Sequence, residues 1–135
     1  MVALVIEDNP LVAGVFRTVL DIHGFVVIPA ATAEAGFRLC SDPGAAIDLV
    51  VVDRLLPDAR GTDVAHKILA HRPEVQILLT SGTPIEYLDT ADLSTIAALP
   101  KGSYSFLQKP CTAQGMMEVV EELLNRKPAL AMAEV

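Results

Sequence analysis

Ile47-Asp48-Leu49-Val50-Val51-Val52-Asp53 is the stretch that decides the fold. From Leu49 to Val52 the residues are all apolar, with no polar alternation, and a carboxylate follows. A strand with one wet face alternates; a strand without alternation is buried on both faces, as in a parallel sheet covered by helices on each side. Ile47 to Val52 therefore reads as a doubly buried strand that ends in Asp53.

The same grammar recurs on either side. Val2 to Ile6 reads as a first strand, Phe25 to Ile28 as a short second, Val75 to Thr80 as a fourth and Tyr104 to Gln108 as a fifth. Helical stretches lie between them. Pro10 opens the first, at a position where its missing N–H costs nothing. Leu11, Val12, Val15, Phe16, Val19 and Leu20 follow at helical spacing, and Gly24 stops it. Thr32 is a plausible N-cap for a helix to about Cys40, and Asp42-Pro43-Gly44 is turn chemistry. Gly61 or Thr62 opens a helix to about His71, ended by Pro73. Asp89 to Leu99 is weakly helical. Thr112 caps a last helix, Ala113 to Asn125, with Val119, Val120, Leu123 and Leu124 expected on its inner face.

Five strand–helix units with short connections predict parallel strands and right-handed crossovers. The expected fold is α/β, a flavodoxin-like doubly wound five-stranded parallel sheet of order 2-1-3-4-5 with about five helices. The domain is expected over residues 1–126, with 127–135 as a C-terminal tail or truncated linker.

Composition agrees and narrows the partners. The chain has 135 residues, 52% hydrophobic and 20% charged, which suits one domain and excludes disorder for its bulk. The formal charge of -7 argues against nucleic acid, which calls for a basic stripe, and against a polybasic membrane anchor. Cys40 and Cys111 are too few for a disulfide framework, and two free thiols suit a reducing cytoplasm. Glu7 and Asp8 cut short the apolar N-terminus, so it is no signal peptide, and no apolar run approaches the ~20 residues of a membrane span.

Ligands of such sheets sit beyond the carboxyl ends of the strands. There the sequence places Glu7-Asp8, Asp53, Thr80-Ser81 and Lys109-Pro110. Polar groups at the opposite strand ends show no such pattern. Three clustered carboxylates raise one another's pKa and are tolerable around a divalent cation. All-oxygen ligation suits Mg²⁺, which takes one or two carboxylates plus a phosphate. Lys109 is then a point charge for a phosphoryl oxygen and Thr80 a donor to another, which is equipment for phosphoryl transfer.

With Leu56-Pro57, Gly61, Thr80-Ser81-Gly82 and Phe106-Leu107-Gln108-Lys109-Pro110 added, the chain resembles the receiver domain of bacterial two-component response regulators, from Val2 to about Asn125. The resemblance implies that Asp53 is the phosphoacceptor, taking a phosphoryl group from the phosphohistidine of a histidine kinase or histidine phosphotransfer protein. It implies Mg²⁺ held by Glu7, Asp8, Asp53 and the backbone carbonyl of Leu55. Thr80 would bond the phosphoryl group, Lys109 would pair with it, and Phe106 would stand for the aromatic switch residue that moves inward behind Thr80. Pro110 is cis in the family.

As a receiver the chain is expected to be no enzyme beyond its own phosphotransfer and autodephosphorylation. It would signal by contact with a downstream protein, without nucleic acid or membrane, as a monomer or weak phosphorylation-dependent dimer. It is expected to carry no output domain, as a stand-alone regulator or as the receiver of a hybrid kinase or longer regulator. Read without the resemblance, Phe106 is an apolar core residue, Lys109 a loop lysine and Gly61 a backbone device at a helix start. A pseudo-receiver that never takes phosphate is disfavoured by the intact Glu7, Asp8, Asp53, Thr80 and Lys109 set. A Mg²⁺-dependent phosphohydrolase would want a second Asp two residues after Asp53, where Leu55 stands.

Three departures from the family pattern stand out. Arg54 follows Asp53 where an apolar residue is common; it is expected at the surface, facing a partner or the phosphate. Cys111 replaces a bulky apolar residue and reads as a small core hydrophobe. The span from Thr80 to Lys109 is long, with Thr83-Pro84, Asp89 and Asp92, and Leu99-Pro100-Lys101-Gly102, so the fourth helix is expected to be shifted, altered or partly loop.

Overall fold

The computed structural model describes residues 1–126; the expected tail at 127–135 lies outside the described residues. In chain order the elements are β1 (Val2–Ile6), α1 (Pro10–Ile22), β2 (Val26–Ala30), α2 (Ala33–Ser41), β3 (Leu49–Asp53), α3 (Gly61–His71), β4 (Gln76–Ser81), a 3₁₀ turn (Ile85–Tyr87), α4 (Thr90–Ala97), β5 (Tyr104–Gln108) and α5 (Ala113–Asn125). All strand pairs are parallel, in the order β2-β1-β3-β4-β5.

β3 is the centre of this order, and its burial explains why it lacks alternation. Leu49 and Val51 face a core shared with Phe16, Val19 and Leu20 of α1 and with Met116, Met117, Val120 and Leu123 of α5. Val50 and Val52 face a second core, with Val64, Ala65 and Ile68 of α3 and Ile96 of α4. β1 divides the same way: Ala3 and Val5 toward α1 and α5, Leu4 and Ile6 toward α2, α3 and α4. Each such side chain buried contributes about 1.5–3 kcal/mol relative to exposure.

Several boundaries differ from the sequence reading, each for a physical reason. β2 runs on through Pro29 to Ala30. As an edge strand it tolerates the missing N–H of proline. The inner stripe of α5 is Met116, Met117, Val120 and Leu123, while Val119 and Leu124 are only half-buried. The fourth helix, read from Asp89 to Leu99, runs over the eight residues Thr90–Ala97 behind the 3₁₀ turn.

The helix starts are fixed by side-chain acceptors. Asn9 Oδ1 accepts from Leu11 and Val12 N–H, Thr32 Oγ1 from Ala35, Asp89 Oδ1 from Asp92 and Thr112 Oγ1 from Gly115. α3 is the exception, with no side-chain cap on Arg60. Gly61 N–H instead donates to Arg54 O at 2.6 Å, which folds the loop after β3 back on itself.

That closeness demands glycine. A Cβ at Gly61 would run into the carbonyl oxygen of Asp53 and lie 2.7 Å from its carbon. Both are backbone atoms and cannot swing aside. Gly61→Ala is expected to destabilise the fold by at least about 2 kcal/mol, within the range for overpacking. Urea denaturation of the two proteins, compared at constant m, measures it.

Candidate functional site

β1, β3 and β5 end at the same edge of the sheet, β1 beside β3 and β5 one strand further on across β4, and each end turns into a polar loop. Glu7 follows β1, and its N–H continues the ladder by donating to Ala30 O at 3.0 Å. Its side chain is buried, with only 2% exposure. Lys109 Nζ donates to Glu7 Oε1 at 2.9 Å and to Asp53 Oδ1 at 3.2 Å. Asn9 N–H donates to Glu7 Oε2 at 3.2 Å. Lys109 thus bridges two carboxylates from strand ends that lie 102 and 56 residues away in sequence. The Lys109–Pro110 peptide is cis.

These charges are partly desolvated. Burial pushes the Glu7 carboxyl above its ordinary 4.5, and the Asp53 charge adds to this; the Lys109 and Asn9 hydrogen bonds pull the other way and do not prevail. Burial alone would lower the Lys109 ammonium, but its hydrogen bond to Glu7 and the charges of Asp53 and Glu7 outweigh it and raise the pKa.

One oxygen from each of Glu7, Asp8 and Asp53 lies within 4.8 Å of the others. Asp8 is exposed, and Asp53 is half-buried with its side chain 12% accessible. A three-carboxylate, all-oxygen set of this size fits a hard divalent cation, and Lys109 neutralises only part of its charge. Leu55, whose carbonyl the sequence reading adds, stands just beyond Asp53 and is exposed.

Thr80 is the last but one residue of β4, opposite Asp53 in register. It is fully buried, and its Oγ1 reaches Val52 O at 3.5 Å, the long limit of a hydrogen bond. Phe106 lies one position along the neighbouring register, opposite Leu79, half-buried against the α2–α4 core. The structure therefore brings Glu7, Asp8, Asp53 and Lys109 into one cluster. Thr80 sits opposite Asp53, and Phe106 lies on the next strand, opposite Leu79.

Arg54 departs from its expected surface position. Its side chain is 13% exposed and is ion-paired at 2.9 Å to Asp92, which is fully buried in the first turn of α4. A guanidinium this close to the sheet edge finds its counter-charge inside the protein, so burial is tolerated. Asp58 was also missed. Its oxygens accept from Ala33 and Glu34 N–H at 2.9 and 3.0 Å, and these bonds hold its carboxyl below the usual range. It therefore serves as a second cap for α2 from 25 residues away. Pro57-Asp58 signals a turn in the sequence, but nothing local reveals the helix it caps.

The fold and this constellation define a class of small α/β domain with an acid–lysine cluster at the carboxyl edge. A model of the response regulator receiver domain family matches residues 3–121, and the chain belongs to that family, as a receiver domain of two-component signalling. It is similar to the regulatory protein LuxO of Vibrio vulnificus, 30% identical over 125 residues that cover 93% of this chain and 26% of LuxO. The chain thus spans about a quarter of the length of such curated relatives. Among solved structures, a receiver domain from Clostridium thermocellum superposes with a TM-score of 0.77 at 27% identity, covering 96% of this chain and 98% of that one. A CheY-like receiver from Methanospirillum hungatei gives a TM-score of 0.81 at 22% identity, covering 95% and 96%, and supports the fold alone. Among the described residues, no helix is long and apolar enough to cross a membrane.

Lys109→Met removes the cation between two carboxylates and leaves Glu7 buried without it. Stability at pH 7 is expected to fall by about 3 kcal/mol. A raised folded-state pKa means that protonation of Glu7 favours the fold, so the variant should regain stability as pH falls through the raised Glu7 value toward 4.5. Urea melts at pH 7 and pH 4.5, for both proteins, check sign and size.

Proposed function

We propose that the chain is a phosphorylatable receiver in which Asp53 accepts a phosphoryl group from the phosphohistidine of a histidine kinase or histidine phosphotransfer protein. The observation that carries the reading is the Asp53 carboxylate itself, held 3.2 Å from the Lys109 ammonium and within one oxygen cluster with Glu7 and Asp8. In the step, an Asp53 oxygen attacks phosphorus, the O–P bond forms and the N–P bond breaks. The electron pair returns to the partner's imidazole nitrogen. The nucleophile is a carboxylate oxygen of Asp53, and Lys109 Nζ lies 3.2 Å from its Oδ1.

Mg²⁺ would be held by Asp8, Asp53 and Glu7, with the Leu55 carbonyl as a further ligand, and when bound it neutralises charge on the transferred group. Lys109 pairs with a phosphoryl oxygen, exchanging part of its hold on Asp53 for it. Thr80 turns its hydroxyl from the weak Val52 contact to a second phosphoryl oxygen. Phe106, on the adjacent strand, fills the space that Thr80 vacates and serves as the switch. No catalytic activity beyond phosphotransfer and self-dephosphorylation is part of this reading. Output is by protein contact, from a monomer or a weak phosphorylation-dependent dimer in the cytoplasm.

The phosphodonor docks on α1. Leu11 and Val15 are 81% and 60% exposed, large apolar residues in the first two turns of α1 that face solvent. They line a groove of about 470 Å³ with Phe16, Pro110 and Cys111, and Lys109 borders both this groove and the acceptor. A helix carrying the phosphohistidine can lie in that groove and present its imidazole to Asp53.

Acetyl phosphate with Mg²⁺ is expected to add one phosphoryl mass to the chain and none to Asp53→Asn, read by intact-mass spectrometry. With beryllofluoride, the NMR signals of Thr80 and Phe106 should shift. Equal labelling of the Asn variant would overturn the assignment of Asp53. Val15→Asp should slow transfer from a phosphorylated histidine phosphotransfer protein at least tenfold, while acetyl phosphate labelling stays unchanged; equal slowing of both would remove α1 as the docking face.

A further inference from the structure

Arg54 stands directly after the acceptor, and its contacts carry an inference that rests on the acceptor reading above. Its backbone is clasped on both sides, N–H to Thr80 O at 2.8 Å and carbonyl to Gly61 N–H at 2.6 Å. Its guanidinium spreads over three partners: Nε donates to Ser81 Oγ at 3.1 Å, Nη1 to Asp92 Oδ2 at 2.9 Å and Nη2 to Thr83 Oγ1 at 3.3 Å. Asp92 is a fully buried carboxylate. Its other oxygen accepts from Thr62 Oγ1 at 2.8 Å and lies 3.3 Å from Arg60 Nη1. Arg60 also grips both oxygens of Asp89, the N-cap of α4, at 2.8 and 2.9 Å. The two ends of the acceptor loop, Arg54 and Arg60, therefore hold the first turn of α4 through two acids.

Arg54 also lines the cavity at the acceptor, and two of its guanidinium's partners, Ser81 and Thr83, line it too. Asp53, Arg54, Ser81, Thr83 and Lys109 line one cavity of about 220 Å³. A phosphoryl group on Asp53 takes the local charge from −1 to about −2 and brings three strong acceptor oxygens. The planar fork of an arginine matches such oxygens two at a time, which a lysine cannot do. Asp92 offers Arg54 one carboxylate oxygen; a phosphoryl group across the cavity offers a larger charge and a better-shaped acceptor.

We propose that phosphorylation of Asp53 draws the Arg54 guanidinium from Asp92 onto the phosphoryl oxygens, and that α4 reads the event as the loss of this ion pair. No covalent bond changes in the exchange. Asp92 keeps Thr62 and the longer contact to Arg60, but a buried carboxylate stripped of its nearest counter-charge draws in water. The first turn of α4, only eight residues long, opens to admit it. Arg54 is thus a phosphoryl ligand and a coupling residue at once.

The test uses the full chain with Mg²⁺ and beryllofluoride as the phosphoryl mimic. Affinity is read by ¹⁹F NMR titration and α4 by amide hydrogen exchange over Thr90–Ala97. In the wild type, beryllofluoride should speed exchange in α4 at least tenfold. Asp92→Asn keeps the shape but weakens the hold on Arg54, so it should bind beryllofluoride about tenfold more tightly, because the cost of releasing Arg54 is removed. Arg54→Gln leaves a buried charge and can unfold, so the double variant Arg54→Gln/Asp92→Asn, neutral at both positions, carries the comparison; it should lose the gain seen in Asp92→Asn. Unchanged α4 exchange in a wild type that binds beryllofluoride, or equal affinity of Asp92→Asn and wild type, makes Arg54 a fixed strut and overturns the inference while leaving the acceptor reading intact. Failure of the wild type to bind overturns both.

Discussion

A buried carboxylate is tolerable in a protein only with a partner, and here the partner is shared. Glu7 is held out of water by the β1 ladder, and the ammonium of Lys109 answers both it and Asp53. That single cation ties the ends of β1, β3 and β5, which the chain reaches at its beginning, middle and end. The sheet order brings the three ends together, and the Lys109 bridge keeps the two carboxylates from pushing theirs apart. The metal-sized oxygen set of Glu7, Asp8 and Asp53 depends on that arrangement.

Much of this was legible in the sequence because it is written in local terms. Unalternating Leu49 to Val52 implies two covered faces, and two covered faces imply a parallel sheet with helices on each side, as found. Glu7, Asp8, Asp53, Thr80 and Lys109 could be gathered at one edge because each closes a strand. Helix caps such as Thr32 and Thr112 likewise act within three residues. What the sequence hid acts over distance. The partner of Arg54 is 38 residues away, the helix that Asp58 caps is 25 residues back, and neither separation leaves a periodic trace. An arginine beside an acid site looks solvated until the buried aspartate opposite it is known.

The polar residues of the opposite sheet edge make a useful contrast. Asp48 there accepts from Val2 N–H at 2.8 Å, a carboxylate bound to the main chain. The carboxyl edge leaves its acids facing one another. The contrast lies in which end of the strands sets its carboxylates against one another, as much as in their number.

The two cores never meet, because the sheet lies between them. Side chains under α1 and α5 touch Ala3, Val5, Leu49 and Val51, whereas those under α2, α3 and α4 touch Leu4, Ile6, Val50 and Val52. A duplicated copy of this gene can therefore rewrite one helical layer while the other stays as it was. Insulation between sister pathways, which depends on copies that no longer recognise each other's partners, is accessible to this architecture by changes confined to one face.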